Sequence, residues 1–328
     1  MATLVDQQTE TATAAPTSGP PAELKASRIG LAREARELSQ LSPRLVAYNL
    51  GYLALAWAIA LGAIAVFWLH PAWYTLALAF LVVSSRQQAL LNCEHECVHN
   101  KFLPSRRLNE IVGRYLCAAP VGSPFGAARA RHLAHHQLLG TSEDPDADLH
   151  SGEPPKNTPL GVARYFITGL LGGYAGMVLM GPPPKVPGAQ DSTRRDLVSM
   201  VVVQLAIAAV LVFAFAWWVY PALWLAPLAT LTALSHLVRS FVEHAITDDE
   251  TEEHSNRLIT IHSNGIERGL VAPYNMNYHA EHHILPSVPA PRLKQLQRRL
   301  ADRGNLPPVL QRSSYGAAIR HYVRSLRD

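Results

Sequence analysis

Residues 45–85 read LVAYNLGYLALAWAIALGAIAVFWLHPAWYTLALAFLVVSS, a run of 41 residues without one Asp, Glu, Lys or Arg. A second run, residues 197–238, reads LVSMVVVQLAIAAVLVFAFAWWVYPALWLAPLATLTALSHLV and extends the same silence over 42 residues. A helix needs about 20 apolar residues to cross a bilayer, so each run is long enough for two crossings. The first breaks at Leu69-His70-Pro71. The second breaks at Trp217-Trp218-Val219-Tyr220-Pro221, whose aromatic residues suit a membrane–water interface. Each run therefore reads as a hairpin that enters and leaves on one side.

Arg44 and Arg86 flank the first hairpin, and Arg194, Arg195 and Arg239 flank the second; all 29 Lys and Arg lie outside the two runs. Basic flanks with uncharged tips predict cytosolic flanks and cytosolic termini. The expected fold is an all-α integral membrane protein. It has four transmembrane helices in two hairpins (about 45–85 and 197–238), and the cytosolic segments 86–196 and 239–300 form a helical cap. Residues 1–40 are expected as a disordered cytosolic tail, 41–300 as the membrane domain, and 301–328 as a C-terminal cytosolic tail. Tyr165–Pro184 is also uncharged, but its five glycines and terminal Pro182-Pro183-Pro184 favour a re-entrant or surface-lying segment over a fifth crossing.

Composition agrees with this layout. The chain of 328 residues is 48% hydrophobic and only 16% charged, against roughly 25% charged in soluble domains. That excludes a soluble globular enzyme, a secreted disulfide scaffold and a disordered adaptor. Three cysteines, Cys93, Cys97 and Cys117, build no disulfide framework and read as reduced, cytosol-facing packing residues. A net charge of +4 is modest for a nucleic-acid binder, and no nucleic-acid partner is expected.

Histidine carries the chemistry. Of the fifteen, eight fall in three groups: His95-Glu-Cys-Val-His99, His132-Leu-Ala-His135-His136 and His279-Ala-Glu-His282-His283. At this histidine frequency one His-x-x-His-His is expected about 0.03 times by chance, so two are not accidental. Residues at i and i+4 share a helix face, and each group can aim its imidazoles at one point. Neutral imidazole ligates Fe, Zn, Cu or Ni, and eight rings exceed the needs of one ion, which implies two.

His244, one turn past Arg239, is the expected ninth ligand. His236 lies about 12 Å deeper along the same helix and is the alternative. His70, His150, His254, His262 and His321 stand outside the groups and read as solvated or packing residues. Glu96, Asp144, Asp146, Glu243 and Glu281 are placed either to accept the far N–H of ligand imidazoles or to be ordinary solvated carboxylates.

These residues resemble those of the membrane fatty-acid desaturase and hydroxylase superfamily, integral-membrane enzymes with three histidine boxes. The likeness runs from about Leu91 to Arg292. Residues 275–289, NMNYHAEHHILPSVP, are very similar to the third box of acyl-lipid desaturases. Residues 135–146, HHQLLGTSEDPD, are similar to the second box and to carotenoid ketolases and hydroxylases. Glu96 departs from the Asp usual after the first histidine.

The resemblance implies two non-haem iron ions, held by His95, His99, His132, His135, His136, His244, His279, His282 and His283. It also implies O₂ as co-substrate, a lipid or acyl substrate taken from the membrane, and a separate electron donor of ferredoxin, flavodoxin or cytochrome type. No haem motif or cysteine cluster for an iron–sulfur centre is present in the sequence. Fatty acyl desaturation is the expected reaction, with hydroxylation or ketolation of a carotenoid or other lipid as the alternative.

Two rivals stand beside this reading. His95-Glu96-Cys-Val-His99 is also His-Glu-x-x-His, the zinc-protease pattern, but an intramembrane protease with one zinc leaves about five clustered histidines unused. A metal transporter needs ionisable groups within the membrane, and the hairpin interiors are nearly free of them.

Overall fold

The computed structural model describes residues 30–150, 152, 156–173, 193–247, 250, 257–302 and 309–327. Most of the N-terminal tail, the end of the 165–184 segment and His254 lie outside the described residues.

Ser42 opens a 27-residue helix, α2 (Pro43–Leu69), by accepting from Leu45 N–H, with proline in the first turn. It follows a short helix, α1 (Ala32–Leu38). After a turn at His70–Ala72 the chain returns as α3 (Trp73–Val98). The Thr75 hydroxyl stitches that turn, donating to His70 and Ala72 carbonyls at 2.6 and 2.9 Å. Then come α4 (Arg106–Val112), continued by π-helical turns over Gly113–Ala118, α5 (Phe125–Leu138), α6 (Ala147–His150) and α7 (Pro159–Leu170).

The second apolar run forms α8 (Thr193–Ala214) and, after a break at 215–218, resumes as a helix that includes α9 (Pro221–Val242). π-helical turns at Pro221–Leu225 and Leu228–Thr232 interrupt α9 where Pro221 and Pro227 lack backbone N–H donors. The remainder is α10 (Gly265–Leu270), α11 (His279–Ile284), α12 (Leu293–Ala301) and α13 (Tyr315–Ser325).

Among the described residues, three helices are long and apolar enough to cross a membrane: Pro43–Leu69, Arg194–Ala214 and Pro221–Val242. Their outward faces carry bare apolar side chains such as Leu205 and Phe213, 65% and 90% exposed. Such a surface belongs in hydrocarbon rather than water, and this is a membrane protein. Helix α3 is as long but polar in its second half, where Gln87, Gln88 and Asn92 are buried. Gln87 donates to Trp224 O at 2.8 Å and Asn92 to Pro273 O at 2.7 Å. These polar groups are spent on protein partners, and they keep α3 from counting among the apolar helices.

The fold differs from the sequence reading at both ends. Residues 32–38, assigned to a disordered tail, are helical with Leu31 and Leu38 buried; Arg292 anchors them by donating to the Leu38 and Gln40 carbonyls. The C-terminal segment is likewise no loose tail. A strand β2 (Leu310–Arg312) pairs in parallel with β1 (Ile259–Ile261), the one departure from all-α among the described residues. The β-branched Ile-Thr-Ile favours that extended backbone. Helix α13 then buries Tyr315 and Tyr322 against Phe241, Val242 and Ile259. The cysteines are buried and unpaired.

Candidate metal centre

Each histidine group is placed by a local device. Asn100, at φ +56°, ends α3 immediately after His99, so His95 and His99 occupy its last turn. Helix α5 carries His132, His135 and His136. Its N-terminus follows Pro124, which offers no side-chain cap. Asp196, at the start of α8, supplies the missing acceptor: its carboxylate takes Gly126 N–H at 3.0 Å and Ala127 N–H at 3.1 Å, and pairs with buried Arg114. His244 follows α9, and α11 presents His279, His282 and His283, all buried.

The structure brings all nine predicted imidazoles together, in two sets. One is His95, His99, His132, His136 and His282; the other is His135, His244, His279 and His283, with ligand atoms within 4.8 Å of one another in each. Within the first, Nε2 atoms face each other at 2.8 Å (His99–His132), 2.9 Å (His132–His136) and 3.0 Å (His136–His282). In the second the separations are 3.3 Å (His135–His244) and 3.0 Å (His279–His283). With metal–imidazole bonds of roughly 2.1 Å, nitrogens at right angles stand about 3.0 Å apart and tetrahedral ones about 3.4 Å apart. These spacings match the edges of a coordination shell. His236 joins neither set.

The tautomers point the same way. His244 Nδ1 donates to the Arg257 carbonyl at 3.1 Å, and a carbonyl only accepts, so its ring hydrogen is on Nδ1 and its Nε2 offers a lone pair. Arg257 holds that carbonyl with φ at +53°. His135 Nδ1 faces Asp144 Oδ1 at 2.8 Å. Burial holds His132, His136, His244, His279 and His283 well below the ordinary histidine range, and neighbouring imidazoles add to it; burial takes His99 down to about 3. These rings are neutral near pH 7, as ligands must be. Burial would lower His135 too, but Asp144 and Asp146 outweigh it and raise it. Neutral rings that turn the same nitrogens toward one another at 2.8–3.3 Å offer clustered lone pairs that a cation would satisfy, so the donor set fits two metal ions of the imidazole-preferring kind.

The five acidic residues divide. Asp144 is buried between His135 Nδ1 and His150 Nε2, at 2.8 and 3.0 Å, and those bonds overcome its burial and hold it well below the usual carboxylate range. Glu243 Oε2 lies 3.7 Å from His279 Nδ1, and Glu96 Oε1 lies 3.8 Å from His95 Nδ1. Asp146 is engaged by Arg131, and Glu281 accepts from Thr260 at 2.8 Å and is pushed up to about 7 by burial. None of the four buried ones is an ordinary solvated carboxylate. His150, read from sequence as solvated or packing, is instead buried in a third group with His135 and Asp144. Its sequence signal was the Asp-Pro-Asp turn four residues before it.

Comparison with known proteins meets this geometry. The family described as "Fatty acid desaturase" matches residues 71–313. The chain belongs to that family. Among relatives, it is 25% identical over 303 residues to the dihydrorhizobitoxine desaturase of Bradyrhizobium elkanii, covering 86% of this chain and 84% of that one. It is 24% identical to the sn-1 oleoyl-lipid 12-desaturase of Synechocystis, covering 82% and 81%. A beta-carotene ketolase of Paracoccus is 25% identical, covering 70% of this chain and 88% of its own. The chain is therefore a family member whose relatives are desaturases and ketolases. Family membership also argues against the protease and transporter readings.

Proposed function

We propose that this protein is a membrane oxidoreductase with two iron ions that uses O₂ and two electrons to desaturate a fatty acyl chain. The observation that carries the reading is the sorting of nine imidazoles from four distant segments into two adjacent sets, five and four. Iron in both sets would supply the O₂ activation that side chains cannot perform on an unactivated methylene. His95, His99, His132, His136 and His282 would hold one ion, and His135, His244, His279 and His283 the other. The protein's own work is to keep these rings neutral and dry, to fix Nδ1 of His135 and His244 on fixed acceptors, and to hold one C–H bond near the centre. The overall balance reduces O₂ to two waters with two hydrogens from the acyl chain plus two electrons and two protons. The electrons come from a separate carrier of ferredoxin, flavodoxin or cytochrome type.

The proposed topology is four crossings, α2 with α3 and α8 with α9, with histidines and both termini cytosolic. A second reading, hydroxylation or ketolation of a carotenoid or other lipid at the same centre, draws support from the ketolase likeness. Expression in a lipid-producing host followed by mass spectrometry of total lipids separates them. Loss of about two mass units supports desaturation, and gain of about sixteen supports hydroxylation. Metal analysis giving near two Fe per chain is expected; near one Zn would sink the proposal.

A further inference from the structure

We infer that Tyr315, on the C-terminal helix, is a positioning residue for the four-imidazole set, acting through Glu243 on His279. The inference rests on the reading of that set as a metal site. Tyr315 lies beyond the family match, which ends at residue 313. Its hydroxyl is nevertheless buried and donates to Glu243 Oε1 at 2.7 Å. The same carboxylate takes Arg239 Nε at 3.0 Å and Arg239 Nη2 at 3.1 Å, and Arg239 is itself braced by Asn92 at 2.6 Å. Glu243 precedes His244 in the chain and sets Oε2 3.7 Å from His279 Nδ1.

That nitrogen is buried and has no hydrogen-bond partner among the described residues. With His279 Nε2 turned toward His283 Nε2 at 3.0 Å, the ring hydrogen belongs on Nδ1, and a buried N–H requires an acceptor. Glu243 is the carboxylate in reach, and its orientation depends on Tyr315 as well as Arg239. Helix α13 is well placed to hold it. Ser314 caps the helix, Gly316 N–H donates to Glu267 at 3.2 Å, and the Tyr322 ring packs edge-on against Phe241 at 4.9 Å. The C-terminal segment thereby reaches one metal site and tunes its affinity.

The test uses the full-length chain in detergent, loaded with ferrous iron and titrated with a competing chelator while bound iron is counted. The wild type keeps about two iron ions. Tyr315→Phe, which removes one oxygen, gives up one equivalent at roughly 10–100-fold lower chelator, with the other unchanged, the usual scale for an outer partner of a ligating histidine. Glu243→Gln shows the same one-site loss. Tyr322→Phe, whose hydroxyl donates to the Lys156 carbonyl at 3.3 Å, keeps both equivalents and controls for docking of the helix. Retention of both ions at wild-type affinity in Tyr315→Phe and Glu243→Gln overturns the inference, as does a parallel weakening of both. A wild type that takes up no iron overturns the metal reading itself, and the inference with it.

Discussion

Asp144 fixes two rings with one carboxylate, at His135 Nδ1 and His150 Nε2. An asparagine there keeps one acceptor and turns an N–H₂ toward the other ring, so Asp144→Asn is expected to weaken iron binding about 10–100-fold, read by chelator competition. Removing a ring has a larger effect. His135→Ala and His282→Ala are expected to abolish lipid product while the protein stays in the membrane fraction, and substantial remaining activity contradicts the assigned ligands. Acid should also unfold the metal-free protein. His99, His132, His136, His244, His279 and His283 have folded-state values below the unfolded one of about 6.5. The unfolded chain therefore binds more protons once pH drops below about 6.5, and stability falls from there downward, for His99 as far as about pH 3. His135, Glu243 and Glu281, all raised when folded, work in the opposite sense and add stability as pH falls, but they are three against six. The thermal midpoint of the metal-free protein should drop between pH 7.5 and 5.5; a flat or rising profile contradicts the neutral, buried rings. Eight imidazoles were legible because helical spacing advertises them, and the ninth, His244, from its place one turn past Arg239. His150 and Tyr315 were not, since each reaches the centre through a carboxylate that a turn or a distant helix supplies, and no periodicity marks such a contact.

Helix α5 depends on a cap from another element, because Pro124 has no side chain to offer and Asp196 of α8 accepts from Gly126 and Ala127 instead. Asp196→Ala removes that cap and leaves buried Arg114 without its aspartate. A lost cap costs about 0.5–2 kcal/mol, and breaking a buried pair costs about 3–5 kcal/mol. The two share one carboxylate and are not summed; a loss of at least ~3 kcal/mol is expected in denaturation, with weaker iron binding as α5 shifts. A change under 1 kcal/mol would show that α5 is held otherwise. Close packing sets a second limit. A Cβ on Gly113 would stand 2.4 Å from Phe125 Cε2 and 2.7 Å from Cys97 Cβ, on the elements that carry the first two histidine groups. Gly113→Ala is expected to destabilise by about 1–3 kcal/mol. Element breaks at His70–Ala72 and 215–218 were legible from proline and aromatic residues. The polar half of α3 and the docked C-terminal segment were not, because both depend on partners far away in sequence.

For the whole molecule, convergence of the imidazoles constrains which helix ends lie together. His95 and His99 close α3, His244 follows α9, and Asp196 ties the start of α8 to the histidine-bearing α5. The start of α2 is held there as well, since Asn49 Nδ2 donates to Phe102 O at 2.8 Å. Four ends of four long helices therefore share one level, and the turns at His70 and Trp217 lie at the others. Arg44, Arg194 and Arg195 belong to that shared level while the turns carry no charge, which is the basis for proposing the basic side as the cytosolic one. Single cysteines test this directly, because Cys93, Cys97 and Cys117 are buried and give little background. A membrane-impermeant maleimide applied to intact cells should label His70→Cys and Trp217→Cys, both exposed positions, and should spare exposed Ser142→Cys until the membrane is opened. Equal labelling of Ser142→Cys and His70→Cys in intact cells contradicts the two-hairpin arrangement. Labelling of only one of the two turns leaves an odd number of crossings between α3 and α9, which the shared level of their ends does not permit.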